Sequence, residues 1–394
     1  MVMDYNEKFY TKEQVWIKPA IIIGAAGILL SIAAAFVDHK QFYFSYLTAY
    51  MFWTGIVLGG LFFTMLHNIS GAVWSLVLRR IMESMMYAAP LLILLFLPVV
   101  FGIHDLYHWS HQEAVAEDAL LLKKAGYLNP PFFIIRSAVY LGLWTLLALL
   151  LYRGSIRQDK KFNAAEQMRS KRISAPGIVI FALTITFASF DWLMSLEPHW
   201  YSTIFGVYIF AGSFLAAQAF IILFVLGYRK KGILKETITV EHYHDIGKFL
   251  FAFTIFWGYM AFSQYFLIWY GNIPEETVWF LERWQGNWKI ITMILVLGHF
   301  LIPFMGLMPR AAKRNLTYLK IMSIWILIMH FFDMYWIVMP TLYEHGFRLS
   351  WIDLVTFMGI GGIVVWYIAR KYNAGALVPV GDPKLEESIQ HVNQ

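Results

Sequence analysis

Two aspartates interrupt long apolar stretches of this sequence. Asp191 and Asp333 each begin an Asp-x6-Pro spacing that ends at Pro198 or Pro340, and a phenylalanine precedes both. A charged aspartate at the centre of a membrane helix costs about 2.5–3.5 kcal/mol. Intramembrane carboxylates usually pair with another polar group or serve an ion or proton path. We therefore consider each aspartate either as a contact that holds helices together or as a proton carrier.

Histidines accompany the second aspartate. His330 precedes Asp333 by three residues, so the two side chains share one face of a helix and can meet. An imidazole beside a carboxylate can exchange a proton with it near neutral pH. A lone histidine such as His299 is more often a packing residue, so the packing and relay interpretations both stay open. The candidates for a proton path are His67, Glu83, Asp191, His299, His330 and Asp333.

The composition excludes an ordinary soluble domain. Hydrophobic residues make up 59% of the 394 positions, and only 14% are charged, against about 25% in soluble proteins. The absence of cysteine excludes disulfides, thiolate-bound iron–sulfur clusters and haem attached through cysteine. The deep histidines are single and do not repeat with the spacing of haem ligands. No metal site and no nucleic-acid partner are predicted.

The elements that must position these residues are membrane helices. A spanning helix needs about 20 apolar residues, and long uninterrupted apolar runs exclude the alternating pattern of a membrane barrel. Ten runs meet this requirement: 18–37, 42–66, 82–103, 132–152, 176–196, 201–227, 247–270, 288–308, 317–339 and 351–369. The sequence therefore predicts an all-α integral membrane protein with about ten transmembrane helices.

Basic residues are distributed unequally between the two sides. If the ten runs all span, 24 of the 31 Lys and Arg residues fall on the side that holds both chain ends. The positive-inside rule then places both termini in the cytoplasm. Ten tryptophans fall in or beside segments of the opposite side: Trp53, Trp109, Trp192, Trp200, Trp269, Trp279, Trp284, Trp288, Trp336 and Trp351. They indicate either an aromatic belt in the lipid interface or a docking surface for an extracytoplasmic partner.

The repeated Asp-x6-Pro spacing, four helices apart, indicates an internal duplication. It predicts one polytopic domain, 1–394, with two four-helix bundles formed by helices 2–5 (42–152 and 176–196) and helices 6–9 (201–339). Helix 1 (17–41) and helix 10 (351–370) flank the bundles. The basic stretch 153–175 is expected to be a solvated connector, and 371–394 a loose cytoplasmic tail.

Three segments resemble a known family. They are FSQYFLIWYGNIPEE at 262–276, HNISGAVWSLVLRR at 67–80 and HFFDMYWIVMPTLY at 330–343. They are similar to signatures of the two paired membrane subunits of bacterial alternative complex III, and the short tail is typical of the smaller-tailed member of that pair. Both members resemble the polysulfide-reductase (NrfD-like) membrane-subunit family. The resemblance extends from about residue 18 to 370, although relatives often carry a second histidine where Asn68 stands.

The resemblance implies a role in a respiratory quinol:electron-acceptor oxidoreductase of the bacterial cytoplasmic (inner) membrane. Its expected partners are membrane lipid, a homologous quinol-binding membrane subunit, and extracytoplasmic iron–sulfur and multi-haem cytochrome c subunits. Those partners would hold the haem and the clusters. This subunit would provide a proton path and would bind, at most, menaquinone or another quinone non-covalently. Polar residues in the outer half are the quinone-site candidates: Arg136, Asp191, Gln264 and Tyr265.

Two other functions remain open at this stage. Secondary transporters also use repeated bundles and charged residues near the membrane centre. No span is broken by paired Gly or Pro near its middle, which argues against a transporter, although Pro303 interrupts helix 8. A purely structural membrane anchor of a redox complex is the third interpretation, and the sequence leaves open whether the chain takes part in catalysis itself.

Overall fold

The computed structural model describes residues 9–344 and 346–393, and within them the chain forms helices and no strand. Ten helices are long and apolar enough to cross a membrane. They are α1 (Ile17–Val37), α2 (His39–Ser70), α3 (Leu76–Phe101), α4 (Pro130–Lys160), α5 (Ala164–Leu196), α6 (Phe205–Lys230), α7 (Val240–Gly271), α8 (Trp288–Leu307), α9 (Leu316–Thr341) and α10 (Trp351–Tyr372). The predicted all-α, ten-span membrane fold is confirmed.

Polar residues fix the starts of several spans. The side chains of Asp38, Asn129, Asn163, Asn315 and Ser350 each accept a hydrogen bond from a free backbone N–H in the first turn of the following helix. Helix ends leave such N–H groups without intrahelical partners, so these caps stabilise the ends. Each cap therefore helps to determine where the chain re-enters an apolar helix.

The spans associate as two bundles that share a central contact. In the first, α2 packs on α3 and α5, and α4 packs on α5; in the second, α6 packs on α7 and α9, and α8 fits between α7 and α9. The most enclosed spans, α2 and α6, pack on each other and join the bundles. This arrangement agrees with the two four-helix bundles predicted from the repeat.

The first and last spans pair closely outside the bundles. A Cβ placed on Gly27 would lie 2.4 Å from the backbone N of Gly359, and one on Gly362 would lie 2.3 Å from the backbone N of Gly24. No side chain fits at these points. Small residues bring membrane helices together in this way because lipid supplies no hydrophobic force between them. The α1–α10 pair then packs on α2 through α10.

Helical extensions of two spans occupy the stretch predicted to be a solvated connector. The helix of α4 continues to Lys160 and α5 begins at Ala164, so three residues join them. The predicted connector 153–175 is therefore wrong. The apolar runs mark where lipid begins, whereas a helix rich in Ala, Gln, Lys and Arg continues beyond it because these residues favour helices.

The expectation of a loose tail is also wrong for the described residues. The backbone N of Leu377 donates to the carbonyl of Phe9 at 2.8 Å, so the two chain ends meet on one side of the molecule. His391 contacts Asp245 at 2.7 Å, and Asp382 contacts Arg79 at 3.2 Å. Specific polar contacts hold the tail in place. The low apolar content of the tail does not predict these contacts.

The side where the chain ends meet is here called the basic face, because the Lys- and Arg-rich segments lie there. Lys8, one of the 24 basic residues assigned to this side, lies outside the described residues. The opposite side, the acidic face, carries most of the loop carboxylates. Seven of the ten tryptophans assigned to that side are buried: Trp53, Trp109, Trp192, Trp200, Trp279, Trp288 and Trp336. Only Trp269, Trp284 and Trp351 are half exposed or more. For the seven, the belt and docking interpretations are wrong, because their rings are buried within the helix assembly.

Candidate functional site

Asp333 is a buried carboxylate without a strong cation beside it. It lies on α9 and is 1% exposed. The hydroxyl of Tyr208 donates a hydrogen bond to one carboxylate oxygen, and the indole Nε1 of Trp257 donates to the other at 3.1 Å. Among the described residues no Lys or Arg forms an ion pair with it; the nearest basic group is Nδ1 of His330, at 3.8 Å. Its charge is therefore balanced by neutral donors alone.

Two histidines lie beside this carboxylate. The ring of His299 stacks on Trp257, with centroids 4.0 Å apart, and the rings of His299 and His330 are 6.1 Å apart. Both histidines are fully buried, and their ring nitrogens have no hydrogen-bond partner among the described residues. Buried polar groups are nearly always hydrogen-bonded, so such groups need an explanation. A role in moving protons or ordering water is one.

The local backbone around His299 is unusual. Residues Leu295–Leu301 form a π-helical segment within α8. The indole Nε1 of Trp325 donates to the carbonyl of Gly298 at 2.7 Å, which gives that carbonyl a side-chain partner. π-Helical turns are rare and frequently occur at functional sites. The segment places His299 in an irregular stretch of α8.

Further unpartnered groups extend from His330 toward the basic face. Gln218 on α6 is fully buried, and neither its amide oxygen nor its amide nitrogen has a partner among the described residues. It lies six residues, or about 9 Å along the helix, from Gly212, whose added Cβ would lie 3.1 Å from the His330 ring. Near the start of α7, the Tyr243 hydroxyl and Nδ1 of His244 are also unpartnered within the described chain. We name Tyr243, His244, Gln218, His299, His330 and Asp333 the second-bundle polar series.

The corresponding aspartate of the first bundle is paired. The guanidinium of Arg136 donates to both oxygens of Asp191, at 2.8 and 3.0 Å, and the Tyr140 hydroxyl donates to one of them at 2.8 Å. Arg136 also stacks over the ring of Tyr127, at 3.8 Å. A two-pronged contact of this kind has strong directional preference. The repeat thus provides two related aspartates, one with a cation and one without.

A third polar centre lies near the basic face. Glu83 accepts from Arg79 at 2.8 Å and from Arg80 at 2.7 Å, and Arg80 also donates to Asp159 at 2.7 Å. His67 is hydrogen-bonded through Nδ1 to the Ser75 hydroxyl at 2.8 Å. Two arginines neutralise Glu83, so it serves as a fixed ion pair more readily than as a free proton acceptor.

The predicted site residues therefore form separate centres. His299, His330 and Asp333 come together, while no hydrogen bond among the described residues joins Glu83 to His299. Gln264 is bonded to the Ser202 hydroxyl at 3.1 Å, and the half-exposed Tyr265 contacts Phe280. The four quinone-site candidates thus divide between the Arg136–Asp191 pair and a separate position on α7.

A cleft of about 500 Å³ opens on the acidic face. Its lining includes the carboxylates Glu197, Glu282 and Glu344, with Pro198 and Pro340 from the two repeats. Burial, and next the negative charge of Glu197, raise the pKa of Glu282 to about 6. In the described part of the chain, no group of three or more His, Asp or Glu side chains is placed to hold a metal ion. Residues of both bundles line the cleft, and the carboxylates are accompanied there by Lys40, His104, His108, His111 and His199.

Sequence reasoning missed several residues of these centres. Tyr208 and Trp257, which donate to Asp333, look like any other aromatic residue of an apolar span. Tyr140 was detectable, because it follows Arg136 by one helical turn.

Comparisons with known proteins do not assign this chain to a family. No protein-family model matches the chain, and no curated protein is significantly similar to it.

Proposed function

We propose that this chain is the proton-conducting membrane subunit of a respiratory quinol:electron-acceptor oxidoreductase of the alternative complex III type. The observation that carries the proton role is Asp333: a buried carboxylate with neutral donors and two unpartnered histidines nearby. A residue that serves only to hold helices together gains most from a cationic partner, as Asp191 has. Asp333 lacks one in the described chain, so protonation and deprotonation there would leave no buried cation unpaired.

The second-bundle polar series gives such a proton a direction. Its unpartnered groups lie near the start of α7 at the basic face, at Gln218 on α6, and at the two histidines beside Asp333. This route replaces a path through Glu83, whose carboxylate is neutralised by two arginines. His67 lines a small cavity near the basic face together with Arg79 and remains a candidate on that side only.

The redox part of the proposal rests on the sequence resemblance at 67–80, 262–276 and 330–343. It entails partner chains that hold iron–sulfur clusters and haem, and a homologous membrane subunit that binds quinol. Quinone binding by this chain has less support than its proton role. Arg136 and Asp191 are hydrogen-bonded to each other, so their groups are not free to bind a quinone. The positive-inside rule supports a cytoplasmic basic face, which reporter fusions at both ends would test.

One observation favours a second candidate, a cation-coupled secondary transporter. The π-helical segment Leu295–Leu301 interrupts the regular hydrogen bonding of α8 within the membrane, and transporters build their sites from interrupted helices. Purification under mild conditions separates the two. A stable complex with multi-haem and iron–sulfur chains is expected for the respiratory subunit, and a chain that purifies alone with substrate-dependent cation uptake would favour the transporter.

The central experiment changes Asp333 to Asn within the intact complex in vesicles. The amide keeps the shape of the carboxylate but cannot titrate. We expect quinol oxidation to continue while proton release per electron falls, and both flows are to be measured on the same preparation. Tyr259→Phe, a change on the exposed surface of α7, is the matched control and should leave both flows unchanged. Normal proton release by Asp333→Asn would refute the proton role of this residue.

A further inference from the structure

Arg283 is a buried cation that lies outside the second-bundle polar series. It follows the short helix Pro274–Glu282 and is 1% exposed. Its guanidinium donates to the carbonyls of Trp279 at 2.9 Å, Trp336 at 3.1 Å and Ile337 at 2.9 Å. These partners are neutral. The positive charge is therefore held rigidly, and within the described chain the partly exposed Glu282, at 3.8 Å, is the carboxylate that forms an ion pair with it.

The position of this charge is defined by α9. Trp336 and Ile337 follow Asp333 by three and four residues, so Arg283 caps the helix about one turn, or 5 Å, beyond the carboxylate. Carbonyl groups at a helix end carry partial negative charge and favour a cation there. Aromatic rings enclose it, because Trp279 stacks 3.6 Å from the guanidinium and Trp200 stacks on Trp279 at 4.4 Å.

On its other side Arg283 adjoins the acidic cleft. Glu282, its neighbour in sequence, lines that cleft with Glu197 and Glu344. The groups whose charge acts on Arg283 are Glu197 and Glu282 from the cleft and Tyr208 from α6. Tyr208 is also the hydroxyl that donates to Asp333. Arg283 thus stands between the buried proton site and the carboxylates of the acidic face.

We propose that Arg283 is an electrostatic gate that prevents hydronium in the cleft from returning to Asp333. This inference rests on the proposed function, since it requires Asp333 to carry protons. A fixed positive charge in a low-dielectric region repels a second cation strongly, and a single arginine can exclude protons from a membrane channel in this way.

The test uses the full chain in liposomes that contain the pH dye pyranine, with valinomycin and potassium to hold the membrane potential constant. Wild type should be nearly closed to passive proton flux. Arg283→Gln should conduct about tenfold faster or more, which corresponds to a barrier lower by about 1.4 kcal/mol. Adding Asp333→Asn to that variant should restore the wild-type rate. Arg348→Gln, which removes an exposed arginine of the same face, is the matched control and should stay closed.

Arg283→Lys covers the case in which the glutamine variant does not fold, as judged by its elution in size-exclusion chromatography. A buried lysine loses its charge more readily than arginine. This variant should be closed at neutral pH and should open as the pH rises, while wild type stays closed.

Three results would overturn the gate. They are a folded Arg283→Gln that conducts like wild type, a flux through it that Asp333→Asn leaves unchanged, and a wild-type chain that already conducts passively through Asp333. In each case, the proton release per electron of the intact complex tests the proposed function independently of the gate. Loss of coupling in Asp333→Asn would keep that function and reject only the gate.

Discussion

Asp191→Asn should destabilise the folded chain far more than Asp333→Asn. Replacing Asp191 by Asn leaves the guanidinium of Arg136 charged beside a neutral amide that keeps one acceptor oxygen, with the Tyr127 carbonyl, at 2.8 Å, as its other partner in the described chain. Breaking a buried ion pair costs about 3–5 kcal/mol. Arg136 lies about 9 Å inside the start of α4, so the lower end applies. About 3 kcal/mol is a change of roughly 150-fold in the folding equilibrium.

Asp333→Asn leaves no buried cation behind among the described residues, and its amide oxygen can still accept from Tyr208 or Trp257. We expect a cost of about 1 kcal/mol or less. The double variant Arg136→Met with Asp191→Asn removes both charges and should recover most of the loss, because an apolar pair often replaces a buried ion pair without cost.

The assay is equilibrium unfolding of the purified chain in mixed micelles, followed by tryptophan fluorescence and analysed as a double-mutant cycle. A coupling energy of about 2 kcal/mol or more between Arg136 and Asp191 is expected from the cost of breaking the pair. Equal stabilities of Asp191→Asn and Asp333→Asn would refute the distinction between a paired and an unpaired aspartate. So would a double variant that is no more stable than Asp191→Asn alone.

Three further predictions concern other parts of the molecule. Gly27→Leu should separate α1 from α10 and lower the thermal midpoint of unfolding, because a Cβ there meets the backbone of Gly359 at 2.5 Å; Gly142→Leu, with open space around it, should have no such effect. Asp382→Asn should expose the tail to protease, since the carboxylate contact with Arg79 is lost; unchanged cleavage rates would contradict this. Because the pKa of Glu282 is raised to about 6 from 4.5, its contribution to stability is present below pH 4.5 and is lost as the pH rises through 6; thermal unfolding should show this loss in wild type and not in Glu282→Gln.

Much of the fold follows from the sequence because lipid imposes simple requirements. An apolar run long enough to cross must be helical, and the ten runs give ten spans. The repeated Asp-x6-Pro spacing likewise identifies related positions in the two bundles. Boundaries were less accurate at the basic face, since α4 and α5 continue as helices beyond the lipid. Apolarity locates the membrane and says little about where a polar helix ends.

The chemistry of the site was less predictable, because it depends on contacts between distant helices. Asp191 and Asp333 share the Phe-Asp-x6-Pro spacing, yet only one has an arginine, and that arginine is 55 residues away. Likewise, Trp279 and Trp336 were expected at a surface but enclose Arg283. No periodicity within one helix encodes such pairings. The tail is a similar case, since single contacts such as His391 with Asp245 hold it.

The pairing of α1 with α10 has a consequence for biosynthesis. A ribosome makes Gly27 and Gly359 about 330 residues apart, which takes roughly 20 s to one minute at 5–20 residues per second. During that time α1 has only a smaller contact with α2, and its glycine-lined face is covered by lipid or by the insertion machinery. The tenth span to enter the membrane therefore closes the structure onto the first, and a chain interrupted before α10 leaves a glycine-lined face of α1 open to other nascent helices.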